Sequence, residues 1–334
     1  MKIIFLDAAT VGEVPNLDRL RALGEWEAYQ TTSPAQLPER VREAEILITN
    51  KVVIGPAAMD AAPKLKLICV AATGTNNVDR EYAAAKGIAV KNVVDYSTPS
   101  VAQITFTLIL TLLNQPGYYD AYVKSGAYAR SPIFTHLDRP FWQLQGKQLG
   151  IIGLGNIGRR VAGIAEAFGM RVAYCSTSGQ NRDAPYERLE LEALLASSDV
   201  VSVHAPLNDR TAGLLDYGKI TRMKNTSLLI NTSRGGIIRE ADLARALDEG
   251  CLAGVGLDVF EQEPIAADNP LLAVRNPEKL VLLPHIAWSS QEARTLLVDR
   301  IAENIRDFLG GAGTTAHAQT PTGLNHVPDY GIEN

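Results

Sequence analysis

Short runs of apolar, β-branched residues recur along the chain, separated by longer stretches in which apolar positions return every three or four residues. In the first third this pattern predicts strands at Ile3–Leu6, Ile46–Thr49, Leu67–Ala71 and Ile88–Lys91. Helices are expected between them, over Asn16–Ala22, Leu37–Ala44 and Arg80–Lys86. A long apolar helix follows at Ser100–Asn114, with Pro99 at its start, where a missing N–H does no harm. From Lys147 the alternation resumes, with strands at Gln148–Ile152, Arg171–Cys175, Val200–Ala205, Ser227–Asn231, Gly254–Val259 and Lys279–Leu283. Helices fit Asn156–Phe168, Arg188–Ser197, Glu240–Glu249 and Gln291–Phe308. Such alternation means βαβ crossovers and parallel sheets covered on both faces. The class is α/β, in two doubly wound domains.

Two segments depart from the rhythm. Residues Gln115 to Gln145 carry Tyr118, Tyr119, Tyr122, Tyr128, Phe134, Phe141 and Trp142 among Gly and Pro. They read either as an irregular connection packed on its own domain or as an arm that buries aromatics against a partner subunit. The tail 310–334 mixes Gly, Thr, Pro and His and is expected to be poorly ordered, apart from a return strand near Asn325–Val327.

Composition narrows the class of protein. A chain of 334 residues suits about two domains. Its 46% hydrophobic and 21% charged content excludes a disordered protein. Thirty-two basic against 37 acidic residues give a net charge of −5, with no basic cluster, which argues against nucleic-acid or anionic-membrane partners. Cys69, Cys175 and Cys251 are isolated, so neither a disulfide framework nor a metal site is expected, and the chain suits a reducing cytoplasm. The apolar run Ile104–Leu113 is too short to span a bilayer, and the N-terminal stretch lacks the length and cleavage region of a signal peptide.

Chemistry concentrates at strand ends. Gly153-Leu154-Gly155-Asn156-Ile157-Gly158 follows the apolar strand QLGII and opens a helix. A lone G-x-G-x-x-G also occurs as a simple packing turn, but the strand–turn–helix context is the one a dinucleotide site requires. There the first glycine permits the tight turn, the second lets a pyrophosphate approach the backbone, and the third lets helix and strand pack closely. The helix N-terminus adds unpaired N–H groups and a positive dipole end. Three further loops, Asn231–Gly236, Asp258–Pro264 and Pro284–Trp288, follow strands of the same sheet. They bring Arg234, Glu263 and His285 to one carboxyl edge, where open parallel sheets bind ligands. Each residue alone suits a solvated surface. Their shared location beside the glycine turn favours a site.

The chain resembles the D-isomer-specific 2-hydroxyacid dehydrogenases. GLGNIG, HAPL (His204–Leu207), NTSRGG, LDVFEQEP and PHIAW stand in that family's order, from Lys2 to about Leu309. AATGTNNVD (Ala71–Asp79) and TPSVAQ (Thr98–Gln103) also look like family motifs. ITNKV near Lys51 and HIAWSSQEAR are most similar to the hydroxypyruvate reductase, or glycerate dehydrogenase, branch.

The resemblance implies a Rossmann dinucleotide-binding domain over 100–287, inserted into a flavodoxin-like substrate domain made of 1–99 and 288–334. Crossing helices near Ser100 and Gln291 would form the hinge. The implied reaction is reversible NAD(P)H-dependent reduction of a small 2-keto acid, hydroxypyruvate or glyoxylate, to the D-2-hydroxy acid. His285 would be the proton donor, histidine titrating nearest neutrality. Glu263 would fix its tautomer, and the planar fork of Arg234 would hold the carboxylate. Lys51, Thr73, Gly74 and Thr75 complete the implied substrate set with Arg234 and His285. The implied cofactor set comprises Gly153, Gly155, Asn156, Ile157 and Gly158 of the turn, and Ser176 and Thr177 at the next strand end. His204, Ala205, Pro206 and Thr211 belong to it, as do Thr232, Ser233, Asp258 and His285, with Asp258 near the nicotinamide amide. A homodimer through residues 100–145 is also implied.

Two departures from the family pattern stand out. Gln103 occupies a position that is usually Glu. Ser176 stands where an acid would bond the adenosine ribose and repel a 2′-phosphate. With Thr177, Ser178, Asn181 and Arg182 beside it, NADPH is expected to be preferred over NADH. The competing possibilities are a dinucleotide-sensing scaffold of the same fold and another enzyme of it, such as phosphoglycerate dehydrogenase.

Overall fold

A computed structural model describes residues 1–179 and 184–310. Its strands are β1 (Lys2–Phe5), β2 (Glu25–Ala28), β3 (Ile46–Thr49), β4 (Leu67–Val70), β5 (Ala89–Lys91), β6 (Gln148–Ile152), β7 (Arg171–Cys175), β8 (Glu187–Arg188), β9 (Val200–Val203), β10 (Leu228–Asn231), β11 (Gly254–Leu257) and β12 (Leu280–Leu282). They form a five-stranded sheet, β2-β1-β3-β4-β5, and a seven-stranded sheet, β12-β11-β10-β9-β6-β7-β8. Every pairing is parallel. The first order is that of flavodoxin-like sheets, and the second reverses direction at β6, as doubly wound dinucleotide folds do.

Parallel strands buried on both faces need continuous apolar runs. β3, β4, β6, β9, β10 and β11 are buried along their whole lengths. Two long helices each serve a different sheet. Thr98–Asn114 packs Phe106, Leu108, Leu112 and Leu113 against Leu149, Ile151, Leu228 and Ile230 of the seven-stranded sheet. Gln291–Leu309 packs Leu297, Val298, Ile301 and Ile305 against Phe5, Ile48, Leu67 and Cys69 of the five-stranded sheet. Ser100 Oγ donates to Ala287 O at 2.6 Å and accepts from Ser290 N at 3.3 Å, so the two helices are joined where their N-termini meet.

Several elements differ from the sequence pattern. β2 was not expected, because EWEA carries no continuous apolar run; it pairs only with β1 at the sheet edge, with Trp26 packed on the core. The helix read from Arg188 begins at Leu191, since Glu187 and Arg188 pair with Ala173 and Tyr174. Pro56–Asp60 and Tyr217–Ile220 form short helices in stretches to which the sequence pattern assigns no element. Pro116–Lys124 is helical, inside the aromatic-rich segment. There Tyr118, Tyr119 and Tyr122 surround His136 of the same segment, while Ile133, Phe134, Leu137 and Phe141 lie exposed. The return strand at 325–327 and the rest of the tail beyond Gly310 fall outside the described residues. Among the described residues no helix is long and apolar enough to cross a membrane.

The fit of the 98–114 helix to its sheet can be tested with one side chain. A Cβ on Gly256 would stand 3.0 Å from Leu108 Cβ, which is 1% exposed. Leu108→Ala is expected to cost roughly 2–5 kcal/mol. The exposed Thr107→Ala is expected to stay within about 0.5 kcal/mol, both by denaturant unfolding.

Candidate active site

The glycine turn leaves β6 with Gly153 at φ +93°, a backbone that side chains rarely adopt. A Cβ on Gly153 would meet Ala205 N at 2.8 Å, and one on Gly158 would meet Gly153 O at 2.5 Å. A Cβ on Gly155 would meet nothing within 4 Å. The first and third glycines are therefore packed, and the second faces open space at the start of the helix Asn156–Ala167. That space is a cavity of about 430 Å³ at the point where the sheet reverses. Gly153 and Gly155 line it from the end of β6, Ser176 and Thr177 from the end of β7, and His204 and Pro206 from the end of β9.

These residues fit a dinucleotide. His204 Nε2 lies 2.8 Å from Ser202 Oγ, and burial pushes the imidazole pKa down to about 3, so the ring is neutral. Its buried Nδ1 has no partner among the described residues. A ligand group would satisfy it. Asn156 and Gly158 support the turn from the helix without lining the cavity, and Thr211 pins the adjoining loop through Pro206 O at 2.6 Å and Asn208 N at 2.9 Å. Asn181 and Arg182 lie outside the described residues.

His204 and Pro206 also line a second cavity, about 380 Å³, set between the two sheets. The five-stranded sheet contributes Lys51, Thr73, Gly74 and Tyr96; the seven-stranded sheet contributes Ile157, Ala205, Thr232, Ser233, Arg234, Asp258 and His285. A neighbouring recess of about 580 Å³ adds Asn77 and Glu263. Arg234, Glu263 and His285 thus face one cleft. Thr75 does not line it; its carbonyl accepts Val78 N at 3.0 Å.

The loop contacts explain the placement of each side chain. His285 Nδ1 is 2.6 Å from Glu263 Oε2, and Glu263 Oε1 accepts Phe260 N at 3.1 Å. Burial opposes ionisation of Glu263, but the hydrogen bond and charge of His285, Phe260 N–H and the charge of Lys51 outweigh it and hold the carboxyl below its ordinary value. His285 itself sits at φ +56°. Its backbone is held by Asp258, whose oxygens accept Ile286 N at 2.7 Å and Ala287 N at 2.8 Å. Burial pushes the Asp258 carboxyl up to about 6 despite those donors. Arg234 is backed by Asn231, whose Nδ2 donates to Arg234 O at 2.9 Å while its Oδ1 accepts Ser233 N at 3.0 Å.

Sequence reasoning missed several supporting residues. Glu240, 5% exposed, accepts Glu261 N at 2.6 Å and Asn269 Nδ2 at 2.5 Å, and its own N–H donates to Glu261 Oε1 at 2.9 Å. This clamp holds the loop that carries Glu263. Tyr96 and Trp288 meet edge to face at 6.2 Å and wall the second cavity. Burial pushes the Tyr96 phenol up to about 12, so it stays protonated. Asp7 is a fourth such residue, and its signal was visible: an acid directly after the apolar strand KIIFL.

Parallel sheets with a glycine-turn crevice beside an Arg, Glu and His cleft define a dinucleotide-dependent oxidoreductase. The model of the D-isomer specific 2-hydroxyacid dehydrogenase NAD binding domain matches residues 106–287. A hydroxypyruvate reductase of Blautia hydrogenotrophica is 38% identical over 321 residues, covering 93% of this chain and 98% of that one. Among solved structures, an NADPH-dependent glyoxylate/hydroxypyruvate reductase of Sinorhizobium meliloti with NADP and malonate aligns at TM-score 0.80 and 27% identity, over 98% and 99% of the two chains. A D-lactate dehydrogenase of Aquifex aeolicus with NAD and lactic acid aligns at TM-score 0.80 and 27% identity, over 93% and 96%. The chain belongs to the D-isomer-specific 2-hydroxyacid dehydrogenases, enzymes that use a nicotinamide dinucleotide.

Asp258 makes the stability of this site pH-dependent. Its carboxyl is raised from 3.8 to about 6 by folding. A raised acid stabilises the folded state fully below its unfolded pKa and loses that contribution as pH climbs through the folded value. The Tm of wild type minus that of Asp258→Asn is therefore expected to fall between about pH 4 and 6. A flat difference across that window would mean that Asp258 is ionised throughout.

Proposed function

We propose that the enzyme reduces hydroxypyruvate or glyoxylate to the D-2-hydroxy acid, D-glycerate or glycolate. The observation that carries this reading is the 2.6 Å contact between His285 Nδ1 and Glu263 Oε2 beside Arg234 in one cleft. The bound dinucleotide supplies the hydride, which no side chain can. His285 gives a proton from Nε2 to the carbonyl oxygen, because Glu263 occupies Nδ1 and fixes the ring. Arg234 holds the substrate carboxylate with its planar fork. Gly74 lies so close that a Cβ there would stand 2.9 Å from Arg234 Nη2, which puts the Thr73–Gly74 backbone beside the guanidinium. In reverse, neutral His285 takes the hydroxyl proton. The same reading treats 100–287 as the dinucleotide domain and 1–99 with 288–334 as the substrate domain, closing on each other about the joined helix N-termini.

Two finer points belong to the proposal. NADPH is preferred over NADH: Ser176, Thr177 and Ser178 line the first cavity where an acid would repel a 2′-phosphate. A second copy of the chain covers the exposed Ile133, Phe134, Leu137 and Phe141, giving a homodimer.

Loss of absorbance at 340 nm on adding either acid to enzyme and NADPH tests the function; no turnover of either would refute it. His285→Ala is expected to lower kcat roughly 10²–10⁴-fold. Arg234→Lys is expected to lower kcat/KM for the keto acid, since an ammonium lacks the bidentate fork. Ser176→Asp is expected to shift the kcat/KM ratio from NADPH toward NADH. A ratio unmoved by that change would remove Ser176 from cofactor choice.

A further inference from the structure

Asp7 follows β1 and is 3% exposed. Its carboxylate accepts Asn50 N at 2.9 and 3.1 Å, Lys51 N at 2.6 Å and Val52 N at 3.3 Å. A buried carboxylate is costly unless donors surround it, and here three successive backbone N–H groups of the turn after β3 do so. Asn77 Nδ2 holds the same turn through Val52 O at 3.0 Å. Lys51, whose backbone is fixed this way, lines the second cavity and the recess, as Arg234, His285 and Asn76 also do. Burial lowers the pKa of its ammonium, and the charge of Glu263 across the cleft opposes that shift.

The recess shares no lining residue with the cavity at the glycine turn. It lies at the other end of the cleft from the dinucleotide pocket and is rich in amides. Arg234 and Gly74 line both it and the second cavity, so a substrate whose carboxylate they hold reaches Lys51, Asn76 and Asn77 with its far end. We infer that Lys51 reads a hydrogen-bond-accepting group on C3 of the 2-keto acid, and that Asp7 is the positioning residue that aims it. The enzyme then favours a 3-hydroxylated acid over one with no third carbon. This rests on the reduction proposed above.

The test compares kcat/KM for hydroxypyruvate with kcat/KM for glyoxylate. Removing a hydrogen bond from a charged donor is worth about ten- to a hundredfold, so Lys51→Met is expected to lower the ratio by that much, and Lys51→Arg to preserve most of it. Asp7→Asn is expected to lower the same ratio, and to lower it no further when added to Lys51→Met. A ratio unchanged within about twofold in Lys51→Met would overturn the inference, because Lys51 would then serve the carboxylate common to both acids. An Asp7→Asn effect undiminished in the Lys51→Met background would overturn the positioning role. Should Asp7→Asn not fold, the Lys51 variants alone decide. Failure of wild type to reduce either acid would instead refute the proposed function, and the inference with it.

Discussion

The buried Asp258 carboxylate at the end of β11 is the contact on which the cleft depends. It binds Ile286 N–H and Ala287 N–H, and Ala287 O in turn accepts Ser100 Oγ, which accepts Ser290 N. One carboxylate thereby ties the seven-stranded sheet, the start of both long helices and the backbone beside His285 to a single point. His285 needs that support. A non-glycine residue in the left-handed region is strained by about 1–2 kcal/mol, and His285 sits at φ +56° with its Nδ1 2.6 Å from Glu263 Oε2. Strain held by surrounding bonds is a recurring property of reactive positions.

Charge in the cleft is arranged to receive an anion. The guanidinium of Arg234 and the amine of Lys51 line it, Glu263 is held below its ordinary value chiefly by His285, and Tyr96 stays protonated. Each acidic group is already engaged within the fold, Asp258 and Asp7 by separate turns and Glu263 by the imidazole. The substrate carboxylate accordingly meets donors. Buried acids with their oxygens occupied by N–H groups fix backbone without offering free negative charge to a ligand.

Much of this was legible in the sequence, for a physical reason. Parallel strands expose their carboxyl ends in sequence order, so the loops after QLGII, LLIN, GVGL and LVL had to share an edge. Glycines at Gly153 and Gly158 mark contacts too close for any Cβ. What escaped notice was non-local. Asp7 bonds residues more than forty positions away, and Glu240 bonds a loop 21 positions on. Neither partner can be paired by spacing alone. β2 was hidden because an edge strand with one neighbour needs no continuous apolar run. In the aromatic segment, composition left two readings open. The tyrosines pack on their own His136, while a separate set of apolar residues stays exposed.

The central claim is that His285 and Glu263 act as one unit, the carboxylate working only through the imidazole. A double-mutant cycle on kcat/KM for keto-acid reduction, with His285→Ala, Glu263→Gln and the pair, measures this directly. Glu263→Gln is expected to slow the wild type markedly and to have no further effect once His285 is alanine. Additive losses in the double variant would contradict the claim, because Glu263 would then be acting on the substrate by itself.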